Sequence, residues 1–184
     1  MNFPTIFPEL STERATLRQV SFKDKRAIFK LRSNKEINKL ISRETPKNLN
    51  DADAFIENCL TDFENETRIF WVIEHQDSSK VIGSIVLSNF NSENDYAEIS
   101  YELSPDYQKE GFMREAIQSV LAFGNVDLAL KTIEAFTHHN NNDAIALLEK
   151  QQFILQSSSQ ANSQTANQVN LENTHIFRLD IIQA

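Results

Sequence analysis

The chain of 184 residues carries 18 Lys and Arg against 26 Asp and Glu, a formal charge of −8, with 40% hydrophobic and 24% charged residues. These proportions exclude a disordered or fibrous chain and fit a single globular domain, 1–184, with its own core. The acidic balance argues against a nucleic-acid partner and suits an amine-bearing or basic one, while the one cysteine, Cys59, excludes an intramolecular disulfide and a cysteine-based metal cluster.

Met1 to Leu10 lacks a basic start followed by an apolar stretch, and no run approaches the ~18 apolar residues of a membrane span. No membrane partner and a reducing, cytoplasmic setting are therefore expected. Thr12 to Val20 alternates as a first strand, and Ser21 with Asp24 predicts a helix start, with Ala27, Ile28 and Leu31 on one face. A second helical stretch is expected near Glu36 to Ile41, and Arg43 to Asn50 reads as a loop. Asn50 and Asp53 are then expected to open a helix with the stripe Phe55, Ile56, Cys59, Leu60 and Phe63. Cys59 on that stripe reads as a small buried apolar residue.

From Arg68 the pattern changes to strands. Ile69 to Glu74 and Val81 to Leu87 form a hairpin around Gln76 to Ser79, with Trp71 in the core, and Tyr96 to Leu103 follows. In that third strand Ala97, Ile99, Tyr101 and Leu103 share one side, so Glu98, Ser100 and Glu102 share the other. Carboxylates on a central strand are costly to bury without partners, which makes that face a candidate cleft wall.

Gly111 to Val126 returns to helical spacing through Met113, Ala116, Ile117, Val120, Leu121 and Gly124. Thr132 to Thr137 reads as a strand, Asn142 to Gln151 as a helix, Phe153 to Leu155 as a short strand and Thr174 to Ile182 as the last one. Ser157 to Asn170, nearly all Ser, Gln, Asn, Thr and Ala, cannot bury a core and reads as a loop. The order predicts an α+β domain, layered α/β/α, with a mixed sheet and helices on both faces. His138 and His139 have no spaced carboxylate or histidine to complete a ligand set, so no metal site is predicted.

The junction after Leu103 is the most informative place. Ser104, Pro105 and Asp106 turn the chain, Gln108 to Glu110 crosses over, and Gly111 stands at a helix entrance whose free amides suit an anion such as a pyrophosphate. Tyr96 to Ala116 resembles the central strand and acetyl-CoA loop of the GNAT superfamily, nearest the branch that acetylates N-termini of ribosomal proteins. Gln108, Gly111 and Met113 occupy the three defined positions of the loop, where the family has Gly or Ala in place of Met113, and Glu115-Ala116 matches the dipeptide that follows. Val81 to Ile85 resembles the preceding strand, and Asn141 to Phe153 resembles the family's later helix, with Gln152 where the family places Gly.

The resemblance implies a mostly antiparallel sheet of about seven strands and acetyl-CoA as co-substrate. It implies cofactor contacts from Leu103, Ser104, Gln108, Lys109, Glu110, Gly111, Phe112, Met113 and Arg114, and from Asn141. It also implies direct transfer of the acetyl group to a primary amine, on a small molecule or a protein N-terminus, and pairing into a homodimer is open. A backbone N–H near Leu103 would hold the thioester oxygen, freed by a splay of the strands near His138. Glu98 is the preferred base and Glu102 the second. The family's usual proton donors are replaced by Leu148 and Ala144, which leaves water or Tyr107 to protonate the thiolate. Two other readings stay open: a catalytically weak acyl-CoA-binding or sensing module, and an interaction domain of the same fold.

Overall fold

Runs of β-branched and aromatic residues make the strands of the computed structural model, which describes residues 2–41, 43–156 and 173–181. They are β1 (Leu10–Ser11), β2 (Ala15–Gln19), β3 (Arg68–His75), β4 (Lys80–Asn91), β5 (Tyr96–Leu103), β6 (Thr132–His138), β7 (Ile154–Leu155) and β8 (Thr174–Asp180). The helices are α1 (Lys25–Arg32), α2 (Lys35–Asn38), α3 (Leu49–Glu64), α4 (Phe112–Val126) and α5 (Asn142–Lys150). The strands form one sheet in the order β1-β2-β3-β4-β5-β6-β8-β7. Its neighbours are antiparallel except β5 and β6, which run parallel. The count is eight strands rather than about seven, two of them only two residues long. The segment read as a loop over Ser157 to Asn170 lies outside the described residues.

Each face of the sheet buries its own apolar cluster. On one, Leu17, Trp71, Ile85, Ile99 and Ile133 pack against Ala116, Ile117 and Val120 of α4 and Leu148 of α5. On the other, Val20, Phe70, Val72 and Val86 pack against Ile28 of α1 and Ala52, Ile56 and Cys59 of α3. Trp71 is fully buried and its indole N–H donates to the Pro8 carbonyl at 2.6 Å. Burial pushes the Cys59 thiol up to about 12, so it stays protonated and inert.

Local chemistry sets the helix ends. Ser21 and Asp24 form the expected capping box, though it opens a short 3₁₀ turn, Phe22–Asp24, before α1. The start of α3 is two residues earlier than expected: Asn48 caps it, accepting from the amides of Asn50 and Asp51, while Asp51 returns a capping-box contact. At the end of α5, Gln152 takes the left-handed conformation, φ 66°, that glycine would adopt easily. Phe153 N–H donates to Leu148 O and Gln152 N–H to Glu149 O, so the turn keeps its reciprocal cap without glycine.

Candidate active site

The parallel pairing of β5 and β6 runs from Tyr96 opposite Thr132 to Ile99 opposite Ala135 and ends there. Ser104 N–H donates to Ile82 O at 2.7 Å. Antiparallel alternation then sends the amides of Glu102 and Ser100 to β4, and those of Tyr101 and Leu103 toward the side that β6 has left. A cleft of about 930 Å³ opens in the gap, lined by Tyr101, Thr137, His138, Asn141, Ala144 and Leu148 among others. His138 thus borders the cleft, its ring stacked on His139 at 4.5 Å.

The loop before α4 closes one end of this gap. Gln108 donates its side-chain N–H to the Leu103 carbonyl at 3.0 Å, tying the loop to the end of β5. Lys109 and Gly111 both have positive φ, 66° and 94°, and curl the backbone around Glu110 into an anion-binding concavity. The first helical bond of α4 runs from Glu115 N–H to Gly111 O. Among the described residues, nothing accepts a hydrogen bond from the amides of Lys109 to Arg114. Met113 is 6% exposed and its side chain belongs to the apolar core, so it does not crowd those amides. The residues present therefore fit a diphosphate.

Arg14, at the entrance to β2, braces the loop from outside. It donates to Glu110 O at 2.7 Å and to the Glu115 carboxylate at 2.8 Å, and its guanidinium lies 4.1 Å from the Phe112 ring centre. A Cβ at Gly111 would meet Arg14 Nη2 at 3.1 Å, so both φ and space favour glycine there.

Behind β5, on the α1 and α3 side, lies a second cavity of about 440 Å³. Ser84, Ser100 and Glu102 line it from the sheet, and Arg32, Arg43 and Phe55 from the helices and their connections. Glu102 is 8% exposed, paired with Arg43 at 2.6 Å, and accepts from Ser84 Oγ at 3.2 Å. The two cavities share Ile41, Ser100 and Tyr101, where β5 parts from β6.

A strand that loses its parallel partner halfway, followed by a loop of free amides at a helix tip, offers unpaired donors for a carbonyl oxygen and for a diphosphate. Residues 14–154 match the family described as an acetyltransferase (GNAT) domain. The chain belongs to the GNAT acetyltransferases. This acetyltransferase is 32% identical to YoaA, an uncharacterised N-acetyltransferase of Bacillus subtilis (strain 168), over 148 residues, 80% of this chain and 84% of that one. Mycobacterium smegmatis RimJ, solved with CoA-disulfide, shares its fold with a TM-score of 0.81 at 15% identity, covering 98% of this chain and 90% of that one. MccE, the microcin C7 self-immunity acetyltransferase solved with acetyl-CoA and AMP, superposes with a TM-score of 0.76 at 22% identity over 92% and 93% of the two chains. The enzyme is thus an acetyl-CoA-dependent N-acetyltransferase.

The acetyltransferase separates the residues that its sequence groups together. Glu102 reaches the 440 Å³ cavity, whereas Glu98 lines neither cavity. Glu98, 7% exposed, accepts from Asn89 Nδ2 at 2.9 Å and lies 3.2 Å from the Tyr96 hydroxyl. That hydroxyl is also 3.0 Å from Glu134, which Arg178 holds at 3.0 Å. Around the loop, Ser104 has its amide committed to Ile82, Phe112 is buried against the rings of His75 and Tyr107, and Glu110 and Arg114 are exposed. Lys109 approaches Asp143 of α5 at 3.7 Å, both side chains largely exposed. Asn141 lines the cleft while its Oδ1 caps α5 by accepting from Ala144 N–H at 3.2 Å.

Arg14, Arg32 and Arg43 carry no local sequence signal, because their contacts depend on the tertiary fold. Alternation places Tyr101 on the apolar side of β5, where it borders both cavities. Its hydroxyl is buried, makes no hydrogen bond among the described residues, and has its pKa raised by burial, so it stays protonated. Tyr107, which the sequence offers beside water as a proton source, packs its ring on His75 and Phe112. Among the described residues no group of three or more His, Cys, Asp or Glu could hold a metal ion, and no helix is long and apolar enough to cross a membrane.

Proposed function

We propose that the enzyme, acting in the cytoplasm, acetylates a primary amine that enters the 440 Å³ cavity, on a small molecule or at a protein N-terminus. The observation that carries this reading is the shared wall: the acceptor cavity and the cofactor cleft meet at Ser100 and Tyr101, so an amine on one side of β5 can reach a thioester on the other. The amides of Lys109 to Arg114 hold the diphosphate, and Asn141 and His138 border the arm that descends the cleft.

In this reading Glu102 takes the proton released by the amine, directly or through one water, because it is the carboxylate of β5 that faces the acceptor. Arg43 and Ser84 fix its orientation. The Leu103 amide donates to the thioester oxygen as negative charge develops there. The amine nitrogen bonds to the acetyl carbon, the C–S bond breaks, and the sulfur leaves as a thiolate. Tyr101 passes its proton to the thiolate in place of the absent donors at Ala144 and Leu148 and regains one from solvent water, while the amine's proton leaves through Glu102.

The test is a panel of primary amines with acetyl-CoA, read as free thiol released, beside the rise in melting temperature on adding CoA. Stabilisation with thiol release from at least one amine is expected. Stabilisation without release from any amine leaves an acyl-CoA-binding module, the reading that Ala144 and Leu148 favour. Absence of stabilisation at millimolar CoA removes both.

A further inference from the structure

On the acceptor side of β5 the cations outnumber the carboxylates. Arg32, Arg43 and Arg68 line the 440 Å³ cavity with Glu102 and Asp62. Arg43 is committed to Glu102 at 2.6 Å and Arg68 to Asp62, so each of those pairs is neutral. Arg32, the last residue of α1, has no carboxylate partner among the described residues. Its guanidinium carbon lies 3.8 Å from the centre of the Phe55 ring, a stacking distance that leaves the N–H edges to bond elsewhere.

The surroundings make that charge costly. Burial first, and the neighbouring Arg43 cation second, lower the Arg32 pKa, yet a guanidinium keeps its proton at any ordinary pH. The carbonyl end of α1 offsets part of the charge, but a helix terminus carries only about half a unit. An anion arriving with the substrate would meet the remaining deficit, because a planar fork of N–H donors matches carboxylate and phosphate oxygens. The hydroxyls of Ser88 and Ser100 line the same cavity and offer neutral donors beside it.

We infer that the acceptor is a primary amine that also carries an anionic group, a carboxylate or a phosphate, gripped by Arg32 while the amine reaches Glu102. This rests on the assignment of that cavity as the acceptor site. It reverses the expectation drawn from the overall charge of −8, which suits a basic partner; the local count at the cavity has the opposite sign.

The experiment uses three matched series of small amines: ω-amino carboxylates of increasing spacer length, the corresponding amino-alkyl phosphates, and the uncharged amino alcohols. Each is measured for kcat/KM with acetyl-CoA and for binding to the CoA-saturated protein by calorimetry. An anionic series should exceed its neutral counterpart by about 10- to 100-fold in both measurements, the range of a charge-assisted contact. Whether carboxylate or phosphate leads names the group. R32Q should erase the advantage and R32K restore part of it, with thermal stabilisation by CoA confirming that each variant is folded.

The proposal is overturned if neutral amines bind and react as well as anionic ones, if R32Q leaves the ratio intact, or if no amine binds. Transfer to neutral amines alone would leave the acetyltransferase reading standing. Arg32-dependent binding of anionic amines without thiol release would sink the transfer reading and keep the anion site.

Discussion

Glu98 and Glu102 stand on the same face of the same strand and are almost equally buried, at 7% and 8% exposure, yet their surroundings are opposite. Beside Glu98 the sheet is complete: β6 pairs through that register, and Asn89, Tyr96, Glu134 and Arg178 fill the space. Beside Glu102 the pairing with β6 has ended, and the carboxylate faces a cavity with Arg43 and Ser84 as its partners. The same side chain is thus enclosed by protein or open to a cavity according to which side of the Ile99–Ala135 junction it occupies, and the proposed roles of the two carboxylates follow from that difference. A carboxylate enclosed by protein donors can hold strands together, whereas one at an open seam can meet a substrate.

E102Q tests that contrast most severely. The amide keeps an acceptor for Arg43 but cannot take a proton, so kcat/KM should fall by about 100-fold or more, with little change in the CoA-induced melting shift. An equal loss of CoA stabilisation would assign Glu102 to the scaffold. G83A acts on the same end of β5: an added Cβ would lie 2.4 Å from the Glu102 carbonyl oxygen and force β4 and β5 apart. Denaturant unfolding should show a loss of about 1–3 kcal/mol, together with lower turnover, since the strand that carries Glu102 and Leu103 must shift.

Y101F removes the unpartnered hydroxyl without changing the ring. A decrease of about 10-fold in kcat, equivalent to ~1.4 kcal/mol, is expected at unchanged KM for acetyl-CoA, and an unchanged kcat would show that water protonates the thiolate. E98Q probes the closed side. It should cost about 1 kcal/mol of stability through a weaker contact with Asn89 or Tyr96, while kcat/KM stays within a few-fold of the parent. A large loss of activity there, with a shifted pH profile, would return the base to Glu98. Last and smallest, Q152G should raise stability by about 0.5–1 kcal/mol by relieving a left-handed backbone far from either glutamate, with activity unchanged.

Much of this architecture was legible because periodicity is local. Tyr96 to Leu103 appears with the same boundaries in sequence and structure, and α4 and α5 lie within about a residue of their expected ends. The turn into α4 was legible too, from Gly111 after a strand and before a helix, and the structure gives that residue the left-handed backbone at the helix entrance. The difference between Glu98 and Glu102 was not, because alternation assigns a face and cannot say where a neighbouring strand departs. Nor could local patterns find Arg14 under the loop or Arg32 and Arg43 in the 440 Å³ cavity: Arg14 meets Glu115 and Arg43 meets Glu102 only after the chain folds back on itself. The α3 start was misplaced for a simpler reason. Asn48 and Asn50 are both good caps, and the reciprocal contact of Asp51 decides between them.

The early end of the β5–β6 ladder also limits how this protein can be stabilised. Substitutions that zipped Tyr101 and Leu103 onto Phe136 and His138 would add backbone pairing and yield a tougher fold, but would close the cleft that the proposed reaction uses. Selection for heat resistance should therefore strengthen the outer strands and helix caps and leave this seam alone.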